Sequence, residues 1–200
     1  MDNWKMKGKP ALILIHMQHG IATEKGAFAR FGHAKATKES GIILRQQELL
    51  KGFRAKKLPV IYVVAVTDTA SGVPPYGAFW KVLETVGGNL PGSKDVEVIP
   101  ELAPQPGEPV IGNWRISSFA NSNLDQLLKD YGVQTVVLAG VATDIAVLTT
   151  AIQATDLGYA VIVPSDASTS HNKRAHEIVM SDMLPGLSLV TTTNDVLAHI

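Results

Sequence analysis

Hydrophobic residues in this chain come in short unbroken runs, separated by stretches whose apolar positions recur at helical spacing. ALILIH (11–16) is a continuous apolar run ending at a polar residue, as expected of a strand buried on both faces. Residues 37–56 place Ile42, Ile43, Leu49, Leu50 and Phe53 on a helical period, and Pro59 then resets the chain into VIYVVAV (60–66), a second buried strand. Residues 67–108 read as irregular and rich in Gly and Pro, with one short helix around 78–85. PVIG (109–112) predicts a brief third strand. NSNLDQLLKDYG (121–132) predicts a capped helix, with Asn121 or Ser122 as N-cap and Gly132 as the stop.

TVVLAG (135–140) predicts a fourth strand, followed by a helix from about residue 144 to 157 that Gly158 ends. YAVIVPSDA (159–167) supplies a fifth strand, NKRAHEIVMSDML (172–184) another helix, and LSLVTTT (187–193) a last short strand before a terminal helical turn. Strands that alternate with helices predict a single-domain α/β fold over residues 1–200. It is a doubly wound, Rossmann-like, mainly parallel sheet of order 3-2-1-4-5-6 with helices on both faces. No internal repeat or linker interrupts it, and the Pro/Gly-rich stretch 86–109 is expected to fold over the sheet edge.

In such a sheet a ligand sits beyond the carboxyl ends of the strands, where the strand order reverses. That crevice lies between strands one and four. It collects His16, Met17 and Gln18 from one side and the turn 140–146 from the other, with Asn113 reaching in from strand three. The helix after strand four adds free N–H groups and a positive dipole end, suited to an anionic group or a developing oxyanion.

Composition narrows the chemistry. Eighteen basic and eighteen acidic side chains cancel, so nucleic acid and acidic membrane surfaces, which demand a basic excess, are not expected partners. The longest apolar runs are strand-length and the first ten residues lack signal-peptide organisation, which predicts a cytoplasmic protein that does not cross a membrane. There is no cysteine, which removes disulfides, thiolate metal sites and thiol nucleophiles together.

With the strand ends side by side, the chain resembles the isochorismatase-like hydrolase family over nearly its whole length. ALILIHMQ (11–18) is similar to the family's opening Ala-Leu-Leu-x-Ile-Asp-Met-Gln. NWRISSF (113–119) is similar to Lys-Trp-Arg-Tyr-Ser-Ala-Phe, and GVATDIAV (140–147) to Gly-Val-x-Thr-Asp-x-Cys-Val. LGYAVIVPSDAS (157–168) follows at the family's interval. The resemblance implies an aspartate, a lysine and a cysteine in amide-cleaving members, and the first two alone in true isochorismatases. Those positions map to His16, Asn113 and Ala146 here, so all three are replaced, as natural divergence would do; Arg115, two residues on, is the alternative counterpart of the lysine. The resemblance also implies a cis peptide between Val141 and Ala142, an oxyanion hole built from the Ala142 and Ala146 amides, and a homo-oligomer.

These substitutions reshape the possible mechanism. A methyl group at 146 cannot attack a carbonyl. Asn113 can orient a ligand through its amide but cannot move a proton near neutral pH, whereas His16 can. Backbone oxyanion donors survive any side-chain change. Ser117 and Thr143 are nearby hydroxyls without an evident base. Gln18, Tyr76, Trp80, Arg115, Phe119 and Thr143 are candidate substrate contacts, the aromatics as walls for a flat or apolar ligand or else as core or subunit contacts.

His16 has a plain alternative role as a hydrogen-bonded strand-end histidine, and Asp144 one as a helix cap. No metal is expected: TDTAS (67–71) lacks the Asp-x-His that the resemblance would require, and His171 and His176, five apart on a helix, do not share a face. GGNLPG (87–92) does not follow a strand as a dinucleotide fingerprint would. No cofactor is implied. The sequence thus predicts a cysteine-independent hydrolase of a small molecule, with His16 as acid or base; the alternative is an inactive family member that binds a small molecule or serves as an assembly subunit.

Overall fold

The computed structural model describes residues 4–67, 80–81 and 85–200. Its sheet runs β3-β2-β1-β4-β5-β7, every pair parallel. The strands are β1 (Lys9–Ile15), β2 (Val60–Ala65), β3 (Val110–Asn113), β4 (Val133–Val141), β5 (Ala160–Pro164) and β7 (Leu189–Thr191). Counting these six gives the predicted order 3-2-1-4-5-6. One strand was not legible: β6 (Ser168–Thr169) pairs with the end of β4 beyond the last residue of β5, and two residues carry no period to detect.

Alternation along the buried strands sorts side chains into two cores, one on each face. Ala11, Ile13 and Ile15 of β1 join Ile61, Val63, Val136 and Leu138 on one face. Leu12 and Leu14 join Tyr62, Val137 and Ala139 on the other. Residues 11 to 15 are all fully buried, and each large aliphatic among them contributes about 1.5–3 kcal/mol by leaving water. A strand this apolar can only be central.

The helices are α1 (His19–Ala22), α2 (His33–Ser40), α3 (Ile42–Ala55), α4 (Leu124–Asp130), α5 (Leu148–Asp156), α6 (Lys173–Ile178) and α7 (Thr193–His199). The expected helix over 37–56 is two helices broken at Gly41, which takes a left-handed φ of 71°. The apolar set that suggested one helix lies wholly in α3, so its period could not reveal the break. At α4 the N-cap residue is Asn123, which makes no side-chain cap bond; Ser122 Oγ instead accepts from the Leu124 amide at 3.3 Å. The helix expected over 172–184 ends at Ile178 and continues as a π turn and a 3-10 turn. Most of the short helix expected around 78–85 lies outside the described residues.

β1 and β4 meet where the site forms. Ile15 pairs with Gly140, whose φ is 137° and where a Cβ would overlap the Ile15 carbonyl oxygen. Glycine is required by that close approach. Immediately beyond, His16 turns at φ 56° and ends β1, so its ring leaves the sheet beside Val141 and Ala142.

Candidate functional site

A cavity of about 390 Å³ opens at the carboxyl ends of β1, β2 and β4. His16, Asn113, Arg115, Ala142 and Ala146 line it, as do Trp80 and Trp114, whose rings meet edge to face at 5.1 Å. Most of the remaining described wall is apolar, from Ile21, Phe28, Phe31, Ile116 and Ile145.

The His16 ring keeps its Nε2 buried and without a partner. Burial drives its pKa down to about 4, with neighbouring His33 adding to the drop and a backbone hydrogen bond at Val141 opposing it. A bond that favours the protonated ring must be accepted by the Val141 carbonyl. Since Nε2 is unpartnered, that bond falls to Nδ1–H, which leaves Nε2 as a bare lone pair in the neutral tautomer.

Opposite it, the Val141–Ala142 peptide is cis, as the resemblance implied. The next turn, Thr143–Val147, winds as a π-helix before α5, an irregularity that recurs at functional sites. The Ala142 carbonyl accepts from the Ile145 and Val147 amides. Ala142 stands at the N-cap of this turn and Ala146 lies within it. Ala146 itself is nearly fully buried against the cavity.

Asn113 ends β3. Its Nδ2 donates to the Ser117 carbonyl at 2.6 Å, which fixes the amide so that Oδ1, buried and unpartnered, is the free acceptor. β3 stops there, so Arg115 does not continue an extended strand; it reaches the cavity through the following bends, and its guanidinium donates to the Trp114 carbonyl at 2.6 Å.

Other predicted residues lie elsewhere. Gln18 is fully buried and saturated: its Nε2 donates to the Ala65 and Asp95 carbonyls at 2.9 and 3.0 Å and to Asn89 Oδ1 at 3.2 Å, while its Oε1 accepts from the Ala65 amide at 2.6 Å. It ties the end of β2 to the 89–95 segment and does not line the cavity. Phe119 stacks on Tyr159 in the core at 6.0 Å between centroids. Thr143 is buried and hydrogen-bonded to His176 Nδ1 at 2.9 Å. Tyr76 lies outside the described residues. Asp144 is not an N-cap: Ala142 holds that position, and one carboxylate oxygen of Asp144 is buried without a partner.

Two further histidines enter the cavity that the sequence did not single out for it. His33 begins α2, and His171 precedes α6 instead of lying on a helix with His176. Their rings meet edge to face at 4.5 Å. His33 Nδ1 is buried and unpartnered, and its pKa falls to about 4 through burial first and His171 second, against a raising pull from Asp144. The only available signal was numerical, six histidines in a chain of balanced charge. Among the described residues no group of three or more His, Asp or Glu side chains is arranged to hold a metal ion. No described helix is long and apolar enough to cross a membrane.

Comparison with known proteins agrees with this architecture. A family model for the isochorismatase domain matches residues 10–195. The chain is 27% identical over 194 residues to YwoC, an uncharacterized isochorismatase family protein of Bacillus subtilis, covering 96% of this chain and 94% of that protein. It is 29% identical over 174 residues to the ureidoacrylate amidohydrolase RutB of Pseudomonas savastanoi pv. phaseolicola, covering 80% and 71% respectively. Among solved structures, an isochorismatase-like hydrolase from Alkaliphilus metalliredigens superposes with a TM-score of 0.78 at 26% identity, covering 96% of this chain and 98% of that one.

Proposed function

Since the chain belongs to the isochorismatase family, we propose that it hydrolyses an amide-type bond in a small molecule with water as the nucleophile, His16 as the base and the backbone of the 142–146 turn as the oxyanion site. The amidohydrolase name of one relative supports the bond type. The observation that carries the mechanism is an unpartnered His16 Nε2 in the same cavity that Ala142 and Ala146 line.

The steps balance without a side-chain nucleophile. Nε2 takes a proton from water as the water oxygen bonds to the substrate carbonyl carbon, and the displaced electron pair moves onto the carbonyl oxygen, held by the two N–H donors. Collapse re-forms the carbonyl and breaks the C–N bond. The His16 imidazolium returns its proton to the leaving nitrogen, giving acid and amine. Asn113 Oδ1 accepts from a substrate N–H and sets its orientation. A cytoplasmic homo-oligomer is part of the same proposal.

The test is turnover of a panel of small amides and ureas by wild type and His16→Asn, a variant that tolerates the left-handed backbone but cannot take the proton. Loss of general-base help lowers kcat/KM by roughly 10²–10⁴-fold. Unchanged turnover in a folded variant overturns the assignment.

A second reading has its own observation: a base whose conjugate acid has a pKa of about 4 is a weak one at neutral pH. Ligand binding by wild type without turnover of any amide assigns the chain to the inactive, ligand-binding alternative.

A further inference from the structure

We propose that α2 is a hinged flap at the edge of the cavity, latched by His33 against His171 and released by mild acidification. This holds whether or not the site turns anything over.

The local sequence makes α2 easy to detach. HAKATKES buries only Ala34 and Thr37 of its eight residues, and a helix so short is marginal in water without packing. No side chain caps its first turn, and a left-handed glycine stands at each end, Gly32 at φ 83° and Gly41 at φ 71°. Glycine crosses φ freely, so each end is a pivot.

Packing beneath the helix is thin. On one side His33 meets the 390 Å³ cavity; on the other a cleft of about 590 Å³ separates α2 from the 94–101 segment, with Ala34 and Lys38 on its wall. His33 Nδ1 and Thr37 Oγ1, one turn apart, are buried without a described partner. The closed position therefore forgoes hydrogen bonds that water would restore. Of the two described ion pairs on α2, Lys35–Glu39 lies within the helix, and only Lys38–Glu24, at 3.2 Å, reaches another segment. Both are exposed, and exposed pairs hold little.

The latch is the edge-to-face contact of His33 on His171, 4.5 Å between centroids at 89°. His171 also seats the hinge, since a Cβ at Gly32 would come within 3.3 Å of its own Cβ. The titratable groups that act on His33 are His171 ahead of α6, Asp144 of the π turn and His16 at the end of β1. Among the elements packed on α2, α1 turns His19 to the second cleft, and α3 commits Arg45 to Glu48 and Asp166. β6 has no titratable side chain, and Arg30 of the 3-10 turn Ala29–Phe31 lies over the Phe31 ring at 5.2 Å.

Burial first and His171 second hold the closed His33 pKa at about 4, against Asp144, while its ordinary value is 6.5. A flap open to water thus takes the proton first, so opening grows as pH falls through about 6.5 and levels below about 4. Linkage between those two values raises the opening equilibrium about tenfold from pH 7.5 to pH 5.5.

Amide hydrogen exchange of the whole chain, read by peptide at pH 7.5, 6.5 and 5.5 and corrected for intrinsic rates, tests this. Amides of β1 and β4, which open with the whole fold, are the reference. Residues 33–40 should be less protected than that reference at pH 7.5, by about tenfold or more, and should lose about a further tenfold by pH 5.5. His33→Phe keeps an aromatic edge for His171 and carries no proton, so most of that further loss should vanish. Protection of 33–40 equal to that of β1 and β4 overturns the flap. Protection of 33–40 that ignores pH in wild type, or falls equally in His33→Phe, overturns the latch. The wild-type series decides by itself if the variant does not fold.

Discussion

Putting the missing thiol back is the sharpest probe of how the site is charged. In Ala146→Cys the new sulfur enters the wall of a roughly 390 Å³ cavity, together with His16, the base that the proposal employs. A free thiol has a pKa near about 8.5, whereas His16 is held at about 4. Moving the proton from sulfur to His16 therefore runs uphill by about 4.5 pH units, roughly 6 kcal/mol. No ion pair forms, the thiolate remains a few per cent or less at pH 7, and burial pushes the thiol further up. The chain has no other cysteine, so alkylation followed by intact-mass spectrometry reports residue 146 alone. The rate of iodoacetamide labelling from pH 5 to 10 is expected to rise with a midpoint at or above about 8.5. Adding Asn113→Lys places a cation beside the sulfur and is expected to lower that midpoint by about one pH unit or more. A midpoint below pH 7 in the single variant would refute the account, because it would require an imidazolium that the buried site does not sustain.

Two buried polar side chains, Gln18 and His16, also bear on stability. Gln18→Leu removes four hydrogen bonds and strands buried partners at Ala65, Asn89 and Asp95; a loss of about 3 kcal/mol, a melting drop of roughly 6–12 °C, is expected by calorimetry, and a drop under about 2 °C counts against a tying role. Stability should also fall on mild acidification. The folded pKa of His16, about 4, lies below the unfolded value of 6.5, so the unfolded chain binds the proton first and stability declines as pH falls from about 6.5 to about 4, then levels. His16 contributes about 3 kcal/mol to that decline. Urea titrations at pH 7, 5.5 and 4.5 should show a shallower decline for His16→Asn, and an equal decline would place His16 in water in the folded state.

Much of the frame was legible because strand burial writes itself into sequence. A run such as ALILIH has no polar face, so it must be central, and a central first strand beside the fourth fixes where the crevice opens. His16, Asn113 and Ala146 lie at strand or turn ends on that crevice, so their placement followed from topology. His33 and His171 did not, because neither sits on a sheet element. One begins a helix that the period merged with its neighbour, and the other follows a two-residue strand. Gln18 misled for a related reason. Only Met17 separates it from His16, but the chain has left β1 through a left-handed turn, and its side chain faces β2 and the 89–95 segment.

The three replacements that the resemblance implies at 16, 113 and 146 share a physical logic. A buried lysine or carboxylate is tolerable only while its partners neutralise it, and stranding one costs several kcal/mol. A lysine at 113 and an aspartate at 16 would face a cavity walled largely by apolar and aromatic side chains. Exchanging them for asparagine and histidine removes both charges and keeps hydrogen-bonding atoms at each place. The backbone at 142 and 146 is placed by the Ile15–Gly140 register and the π turn rather than by a side chain at 146. The side chains at 16, 113 and 146 can thus change while the backbone of the 142–146 turn keeps its place. Restoring the cysteine alone, beside a neutral His16, should therefore return a thiol and not a thiolate.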